Sequence, residues 1–438
     1  MQLQKSSSPA DLHARTWRDV VRGNVLAVGL VSMFTDLSSE MIFPFLPVFV
    51  AGLVPLASAP LYLGLIEGVA ETTSSLLKIV SGRLSDALGR RKALVLVGYG
   101  LSSVLRPMLA FVTAGWHVVL VRFGDRIGKG VRTSPRDALI GDSVGPGVRG
   151  LAFSFHRAMD HAGAVIGPLV ALGALHALLG HGFWQASAGQ PSPDEMAALR
   201  WLFALAAVPG LCAVLTVVLG VRERAPAAAG RAAAHEATRD QTAGHEAPAA
   251  PAWRKLPGRF YSFVGIVVLF ALGNSSDLFL LFYGRSRFDI GLSGIVGLWI
   301  LLHVSKMVWS VPGGMLSDRH GRRVVIVAGW LVYALVYLGL AFVDESWQLW
   351  ALMAVYGLFY GLTEGAEKAL VTDLVPAELR GTALGLHAGA VGFAALPASL
   401  IFGVFWSVIG PRLAFGIGAS LAALASVLLV LHSRRRAR

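Results

Sequence analysis

Residues 82–92, GRLSDALGRRK, decide the fold because the chain repeats them at residues 314–324 as GMLSDRHGRRV. Seven of the eleven positions are identical. A second pair of segments, DSVGPGVRGLAFSFH at 142–156 and DLVPAELRGTALGLH at 373–387, shares Asp, Val, Arg, Gly, Ala and the final His. Two matches in the same order indicate that the second half of the chain repeats the first half in the same direction.

The composition predicts a protein embedded in a lipid bilayer. Of the 438 residues, 55% are hydrophobic and only 15% are charged, and the mean hydropathy is +0.63. Soluble domains average roughly 45–50% apolar and about 25% charged residues. The net charge of +12 is spread between apolar stretches, which argues against a nucleic-acid partner. The single cysteine, Cys212, excludes an intrachain disulfide.

Apolar runs bounded by Gly, Pro or charged residues predict twelve membrane-spanning helices, since a bilayer core needs about 20 mostly apolar residues per helix. The predicted helices cover residues 25–50, 60–83, 93–113, 116–140, 149–179, 200–221, 258–283, 291–316, 323–342, 347–373, 381–407 and 411–432. The first run is far longer than the apolar core of a secretory signal, and more spans follow it at once, so we expect an uncleaved helix.

A polar segment divides the predicted helices into two sets of six. Thirteen of the 28 residues from 225 to 252 are alanine, mixed with Pro, Gly and charged residues, which is typical of a linker. The predicted domains are an N-terminal segment at 1–24, helical bundles at 25–221 and 258–432, a linker at 222–257 and a basic tail at 433–438.

The positive charges predict the orientation. With both termini inside, the inner segments hold 24 Lys and Arg residues and the outer ones hold about four. Such an excess is typical of the cytoplasmic side. We therefore expect both termini in the cytoplasm and a bacterial-type plasma (inner) membrane.

The repeated G-x-L-S-D-x-x-G-R-R loop, placed between the second and third helix of each half, resembles the loop of the major facilitator superfamily. The resemblance covers all twelve helices, and it implies two pseudo-symmetric six-helix bundles, a substrate site near the membrane midplane and no partner subunit, hence a monomer. It also implies a gating role for Gly82, Asp86, Gly89, Arg90, Gly314, Asp318, Gly321 and Arg322.

Charge pairing supports that role, because an acid at a helix end followed by basic residues is able to pair across the two halves or to cap a helix. The alternative is that the basic residues only fix the topology.

The lead helix of each half carries acids within an apolar stretch. Asp36 and Glu40 lie one turn apart in the first helix, and Asp277 lies in the corresponding part of the seventh. A carboxylate in the membrane costs several kcal/mol unless it is paired, protonated or hydrated. We therefore expect these acids to exchange protons or to contact substrate. The alternative for Glu40 is a place at the outer interface.

Mixed acidic and basic faces are predicted to line an interior rather than to meet lipid. In the second helix Glu71 shares a face with Lys78, and in the eighth His303 shares one with Lys306; by the repeat register Glu71 corresponds to His303. A structural ion pair between Glu71 and Lys78 is the alternative.

The fourth helix is the most charged, with Arg122, Asp125, Arg126, Lys129 and Arg136 on an arc of about 100°. This stripe could attract an anion, tune the protonation of nearby acids or simply be neutralised by them. Arg122 matches the arginine that the resembled family carries in its fourth helix. Asp125 and Arg126 replace the Gln and Gly that usually follow that arginine.

The fifth helix places His156 and Asp160 four residues apart, and His387 repeats His156 in the eleventh. Because histidine titrates near neutral pH, we expect a proton relay here; half of a transition-metal site and a hydrogen-bonded structural histidine are the alternatives. In the same helix, Gly163-x-x-x-Gly167-Pro168 resembles a pattern associated with exporters, although small residues also serve helix packing.

The tenth helix carries Glu364 and Glu367 near Tyr356 and Tyr360. This combination suits a cationic or amphipathic organic compound. For Tyr356 we expect a packing role.

These features predict a secondary active transporter that works by alternating access, exporting a small organic compound in exchange for protons. The chain has no P-loop to use ATP, no Ser-His-Asp or metal-hydrolase spacing that would predict an enzyme, and no signature of a cofactor. The alternatives are a carrier of transition-metal ions, through His156, Asp160, His303 and Asp36, or of organic anions. A non-transporting receptor is a further alternative.

Overall fold

The computed structural model describes residues 20–55, 58–180, 191–223 and 252–434. Within these ranges the regular structure is helical and no strand occurs. The predicted N-terminal segment, linker and basic tail lie largely outside the described residues.

Twelve long helices follow one another along the described residues, as predicted. They are α1 (Gly23–Ala51), α2 (Ala59–Leu88), α3 (Arg91–Met108), α4 (Gly115–Ser143), α5 (Arg149–Leu179), α6 (Pro193–Gly220), α7 (Gly258–Phe288), α8 (Leu292–His320), α9 (Arg322–Leu340), α10 (Ser346–Leu374), α11 (Arg380–Val408) and α12 (Pro411–Arg434). The face at which α1 begins and α12 ends is called the terminal face below.

Some helices extend beyond the predicted apolar runs because polar residues continue or begin them. Helix α2 runs to Leu88, through most of the repeated motif, instead of ending at residue 83. Helix α6 begins at Pro193 rather than at residue 200. There Ser192 and Glu195 form a capping box, in which each side chain accepts a hydrogen bond from the other's backbone N–H at 3.2 and 2.8 Å.

Helices α1, α6 and α7 are interrupted. The break in α7 separates Gly258–Gly273 from Leu278–Phe288, so that residues 274–277 leave the helix inside the predicted span. Irregular backbone at membrane depth is tolerated only where protein or a polar interior surrounds it. Asp277 ends this break and faces the interior contacts described below.

The two halves repeat the same packing. Helix α1 packs on α5, and α4 on α2 and α3; in the second half α7 packs on α11, and α10 on α8 and α9. The halves meet mainly where α2 packs on α11 and α5 on α8. Since α2 corresponds to α8 and α5 to α11, this interface is itself pseudo-symmetric. The predicted all-α fold of two six-helix bundles is confirmed.

The surface and the interior divide as expected for a membrane protein. Large apolar side chains such as Phe111, Leu219 and Val408 are more than 75% exposed, which suits contact with lipid. Nine helices of the described chain are long and apolar enough to cross a membrane. Helices α2, α4 and α10 carry more charged residues, and Asp86, Asp142 and Glu364 on them contact residues of the opposite half.

Candidate functional site

Both copies of the repeated loop use glycine to end a helix. Gly89 ends α2 with φ of +62°, and Gly321 ends α8 with φ of +95°. Residues with a Cβ rarely adopt these backbone angles. These two glycines of the motif therefore set the turn from one helix to the next.

The other glycine of the motif lets helices of opposite halves touch. At one crossing, a Cβ on Gly314 of α8 would lie 2.7 Å from the carbonyl oxygen of Gly150 in α5. At the equivalent crossing, a Cβ on Gly381 of α11 would lie 2.7 Å from the carbonyl oxygen of Gly82 in α2. Close approach of the two halves at the terminal face thus depends on four glycines.

Each aspartate of the motif caps a helix of the other half. Asp86 accepts hydrogen bonds from the backbone N–H groups of Gly381 and Thr382, at 2.9 and 2.6 Å. Asp318 accepts equivalent bonds from Gly150 and Leu151, at 2.9 and 2.7 Å. A carboxylate at a helix N-terminus is stabilised by the exposed N–H groups and by the helix dipole. Each acid therefore links the halves.

Arginine–aspartate pairs surround these caps. Asp142 of α4 accepts from Arg380 of α11 at 2.6 Å, and Asp373 of α10 accepts from Arg149 of α5 at 2.5 Å. The caps and these pairs are together called the terminal contacts below. The segments that begin with Asp142 and Asp373 align in the repeat, but the pairing of their Asp and Arg residues across the halves was not predicted.

The basic residues of the two loops are used asymmetrically. Arg322 contacts Asp318 and also lies 3.3 Å from Asp373. Its counterpart by register, Arg90, is exposed; instead the next residue, Arg91, pairs with Asp142 and lies 3.5 Å from Asp86. Arg91, which starts α3, is thus the arginine of the first loop that contacts these acids, and the gating role expected of Arg90 stays a prediction.

At the break in α7, the Asp277 carboxylate contacts three side chains from α8 and α10. Lys306 lies 3.0 Å from its Oδ2, and the hydroxyl groups of Tyr356 and Tyr360 donate to its Oδ1 at 3.1 and 2.9 Å. The Lys306 ammonium also lies 3.5 Å from the ring centroid of Tyr360, a cation–π contact. Tyr356 was expected only to pack, but its hydroxyl group belongs to this polar cluster.

A second cluster joins the halves near their centre. The guanidinium of Arg157 on α5 donates to both carboxylate oxygens of Glu364 on α10, from Nε at 2.8 Å and also from Nη2. His161 of α5 lies 3.1 Å from the same carboxylate through Nε2, and its Nδ1 lies 3.2 Å from Nδ1 of His303 on α8. Two of the predicted site residues, His303 and Glu364, are thus brought together through His161.

Two acids of α4, Asp125 and Asp137, each pair with two basic residues. Asp125 lies 3.0 Å from Arg106 of α3 and 3.7 Å from Arg122. Further along α4, Asp137 lies 2.9 Å from Arg136 and 2.8 Å from Lys368 of α10. The pairing of Arg106, Asp137 and Lys368 was not predicted, although each is a charge within a predicted span and was detectable for that reason.

The acids of α1 face α4 and α5. Asp36 lies within electrostatic range of Asp160, Lys129 and Arg106, and Glu40 within range of Lys129 and Arg126.

Gly163 and Gly167 of α5 pack against α1 at these acids. A Cβ on Gly163 would lie 3.1 Å from the Cβ of Asp36, and a Cβ on Gly167 would lie 2.8 Å from the Cβ of Glu40. The glycines therefore serve helix packing. The side chain of Glu71 lies outside the described residues.

His156 and His387 contact different residues. His156 lies 2.7 Å from the hydroxyl of Ser32 and 3.6 Å from Asp160. His387 lies 3.8 Å from Glu367, which accepts from the indole of Trp330 at 3.1 Å. Across the described ranges no three His, Cys, Asp or Glu residues are grouped as a metal ion would require.

The fold and the interior define a multi-pass membrane protein built from two repeated bundles with charged groups between them. The sequence model of the Major Facilitator Superfamily matches residues 28–311 and 304–438. The chain therefore belongs to this superfamily of membrane transporters.

Individual proteins agree with that assignment. An uncharacterized MFS-type transporter of Methanocaldococcus jannaschii is 32% identical over 412 residues, covering 93% of this chain and 94% of the relative. The multi-drug resistance efflux pump PmrA of Streptococcus pneumoniae is 31% identical over 127 residues, 29% of this chain and 32% of the pump. The crystal structure of the human organic anion transporter MFSD10 has the same fold, with a TM-score of 0.71 at 17% identity, covering 95% of this chain and 100% of that one.

Proposed function

We propose that this transporter works by alternating access and exports a small organic compound in exchange for protons. The observation that carries the proposal is the set of terminal contacts, which join the two halves at one face through side chains and helix ends. Breaking these contacts would open the terminal face without unfolding either half. The same helices could then close the opposite face around the midplane.

Three observations support the direction and the class of cargo. The excess of Lys and Arg at the terminal face is typical of a cytoplasmic side, so the contacts would close the path from the cytoplasm. The partial similarity to a multi-drug efflux pump supports export. The Asp277 carboxylate and the Tyr360 ring hold the ammonium group of Lys306, and the same groups would suit an organic cation that displaces it. We further propose a monomer in a bacterial-type plasma membrane.

Proton coupling is supported by the interior acids. Asp36, Glu40, Asp277, Glu364 and Glu367 lie within predicted spans, where a carboxylate requires a counter-charge or a proton. When one of these carboxylates binds a proton, it loses its attraction to a neighbouring basic residue. Proton binding would in this way link the pH gradient to the arrangement of the two halves.

Inside-out membrane vesicles test this proposal. With the vesicle lumen acidified, we expect uptake of at least one compound from a panel of organic cations such as ethidium, and loss of uptake when nigericin collapses the pH gradient. Asp277→Asn should abolish this uptake. The matched control Asp289→Asn, at a residue whose side chain is 93% exposed, should retain it. Uptake that ignores the gradient, or that is equal in both variants, contradicts the proposal.

A further inference from the structure

The segment that leads into α7 lies at the terminal face and is rich in basic and aromatic residues. Ala252–Lys255 form a short 3₁₀ helix just before α7 begins. From residue 253 to 261 the sequence reads WRKLPGRFY, which contains three basic residues, three aromatic residues and no acid. Trp253 and Tyr261 are 43% and 38% exposed. Residues 253–261 are called the lead-in segment below.

Contacts on its inner side fix the lead-in segment in place. Leu256 is 5% exposed and belongs to the hydrophobic core. The hydroxyl group of Tyr261 donates a hydrogen bond to the backbone carbonyl oxygen of Trp253. Nε of Arg259 donates to the carbonyl oxygen of Leu374, at the end of α10, at 3.1 Å. The segment is thus attached to α7 and α10, and its other polar side chains are held at a defined level.

The outer side of the segment continues the lipid-facing side of α7. Trp253, Arg254 and Lys255 are exposed, and the Arg254 guanidinium lies 5.2 Å from the ring centroid of Trp253, a cation–π contact. One turn beyond Tyr261, Gly265 is also exposed, and nothing lies within 4 Å of a Cβ added there. Because α7 is long and apolar enough to cross a membrane, this open side meets lipid, and Tyr261 lies where the bilayer begins.

The repeat carries the same pattern ahead of α1. Residues 16–20 read TWRDV, and residues 252–256 read AWRKL, so Trp and Arg are shared. The apolar residue that ends each stretch, Val20 or Leu256, is 5% exposed; Trp17 lies outside the described residues. Both lead helices enter the membrane from the same face, and tryptophan is enriched at the membrane interface. A Trp-Arg pair ahead of each lead helix is therefore typical of an interfacial segment.

We propose that the lead-in segment binds the phosphate headgroup of an anionic phospholipid in the leaflet at the terminal face. Arg254 and Lys255 supply the positive charge, and Lys255 stands where the first copy of the pattern has Asp19. Guanidinium and ammonium groups form charge-assisted hydrogen bonds with phosphate, and basic residues beside a membrane-spanning helix attract anionic lipid. Trp253 and Tyr261 hold the segment at the level of the headgroups.

A lipid bound here lies close to the terminal contacts. Arg259 holds the carbonyl group of Leu374, and the preceding residue, Asp373, pairs with Arg149 of the opposite half. Lipid binding therefore acts on the end of α10 that carries one of these contacts. The assignment goes beyond the proposed function, because it depends neither on the cargo nor on the direction of transport.

Fluorescence quenching by labelled lipid measures this binding at the segment itself. A cysteine replacing Ser262, which is exposed beside Tyr261, carries a bimane label in the full-length Cys212→Ala protein. The protein is reconstituted in vesicles of equal parts phosphatidylglycerol and phosphatidylcholine, with a doxyl quencher on one lipid or on the other. We expect the anionic lipid to be enriched about fivefold or more at the label, since each basic residue at a membrane surface contributes a factor of about this size.

Two matched double variants decide the proposal. Arg254→Gln with Lys255→Gln should bring the enrichment close to unity. Arg285→Gln with Arg287→Gln removes two basic residues that are 60% and 51% exposed at the other end of α7, and it should leave the enrichment unchanged. Equal enrichment in the two double variants, or none in the parent, overturns the proposal.

A competition with inorganic phosphate separates lipid from a free anion. Replacing chloride by phosphate at constant ionic strength should leave the enrichment of phosphatidylglycerol unchanged, because the lipid is held by its position in the bilayer as well as by its charge. Loss of the enrichment would assign the site to a free anion and overturn the lipid assignment. These measurements need no transport substrate, so their outcome is independent of the vesicle uptake that decides the proposed function.

Discussion

Asp86 and Asp318 each hold one carboxylate against the first turn of a helix from the opposite half. Such a cap ordinarily stabilises a helix within one domain. Here the cap and the helix belong to different halves. The free energy of the capping hydrogen bonds therefore stabilises the state in which the halves are in contact at the terminal face. These two residues connect the local chemistry of a helix end to the conformation of the molecule.

Neutralising one cap should shift the balance between closed and open states. Asp86→Asn retains shape but loses charge-assisted acceptance at Gly381 and Thr382, which is worth about 1–2 kcal/mol or a factor of roughly 5–30. In a Cys212→Ala background, a cysteine replacing buried Thr382 should react about tenfold faster with maleimide when Asp86 is changed. The matched change Asp344→Asn, at an exposed residue, should leave the rate unaltered, and equal rates in both variants would refute the assigned role.

The pair between Lys306 and Asp277 should show strong coupling in stability. Lys306→Met leaves a carboxylate 14% exposed without its cation, a loss that costs about 3–5 kcal/mol when one partner of a buried pair is removed. We expect a clear fall in Tm, most of which Asp277→Asn restores in the double variant. Additive effects in this double-mutant cycle would show that the two residues do not interact.

At the scale of helices, the interface depends on two crossings without side chains between them. Helix α2 meets α11 at Gly82 and Gly381, and α8 meets α5 at Gly314 and Gly150. The repeated motif therefore combines a close helix approach, an inter-half cap and a turn within one short segment. Its presence in both halves explains why both crossings have the same geometry.

Adding one methyl group at a crossing should hold the terminal face open. A Cβ on Gly314 would lie 2.6 Å from the Cβ of Ser154 and 2.7 Å from the carbonyl of Gly150, so α8 and α5 must separate. Gly314→Ala should therefore raise maleimide labelling of a cysteine at Thr382 and lower transport. Gly173→Ala, in α5 with no neighbour within 4 Å of the added Cβ, should leave both unchanged; identical behaviour of the two variants would contradict a role for the crossing.

At the scale of the whole molecule, the sequence predicted the architecture better than the site. The repeat and the apolar runs were sufficient for twelve helices in two bundles, because both depend on local pattern. Asp277 and Lys306 were each predicted as site residues, and they contact each other. They lie on consecutive helices of one half, which brings them close together. The central contacts were harder to predict: Arg157 and Glu364 are 207 residues apart, and spacing along a helix specifies a face but not the side chain opposite.

Where the observed contacts differ from the expected ones, the physical causes are similar. Arg90 and Arg91 are adjacent, and the direction in which α3 leaves the turn decides which one reaches the acids. Tyr356 was expected to pack. The partner of its hydroxyl group, Asp277, lies on another helix, at a break in α7 that the hydropathy pattern does not reveal. His156 and His387 match in the repeat, but the pseudo-symmetry axis keeps them in separate halves.

The central claim is that the terminal contacts hold one of two states. Its most direct measurement is the distance between spin labels at Arg90→Cys and Arg319→Cys, exposed positions on opposite halves of the terminal face, by double electron–electron resonance in the Cys212→Ala protein. We predict a short-distance population, joined by a larger long-distance population when Asp86 and Asp318 are both changed to Asn. A single distance distribution that is identical with and without these substitutions would contradict the account.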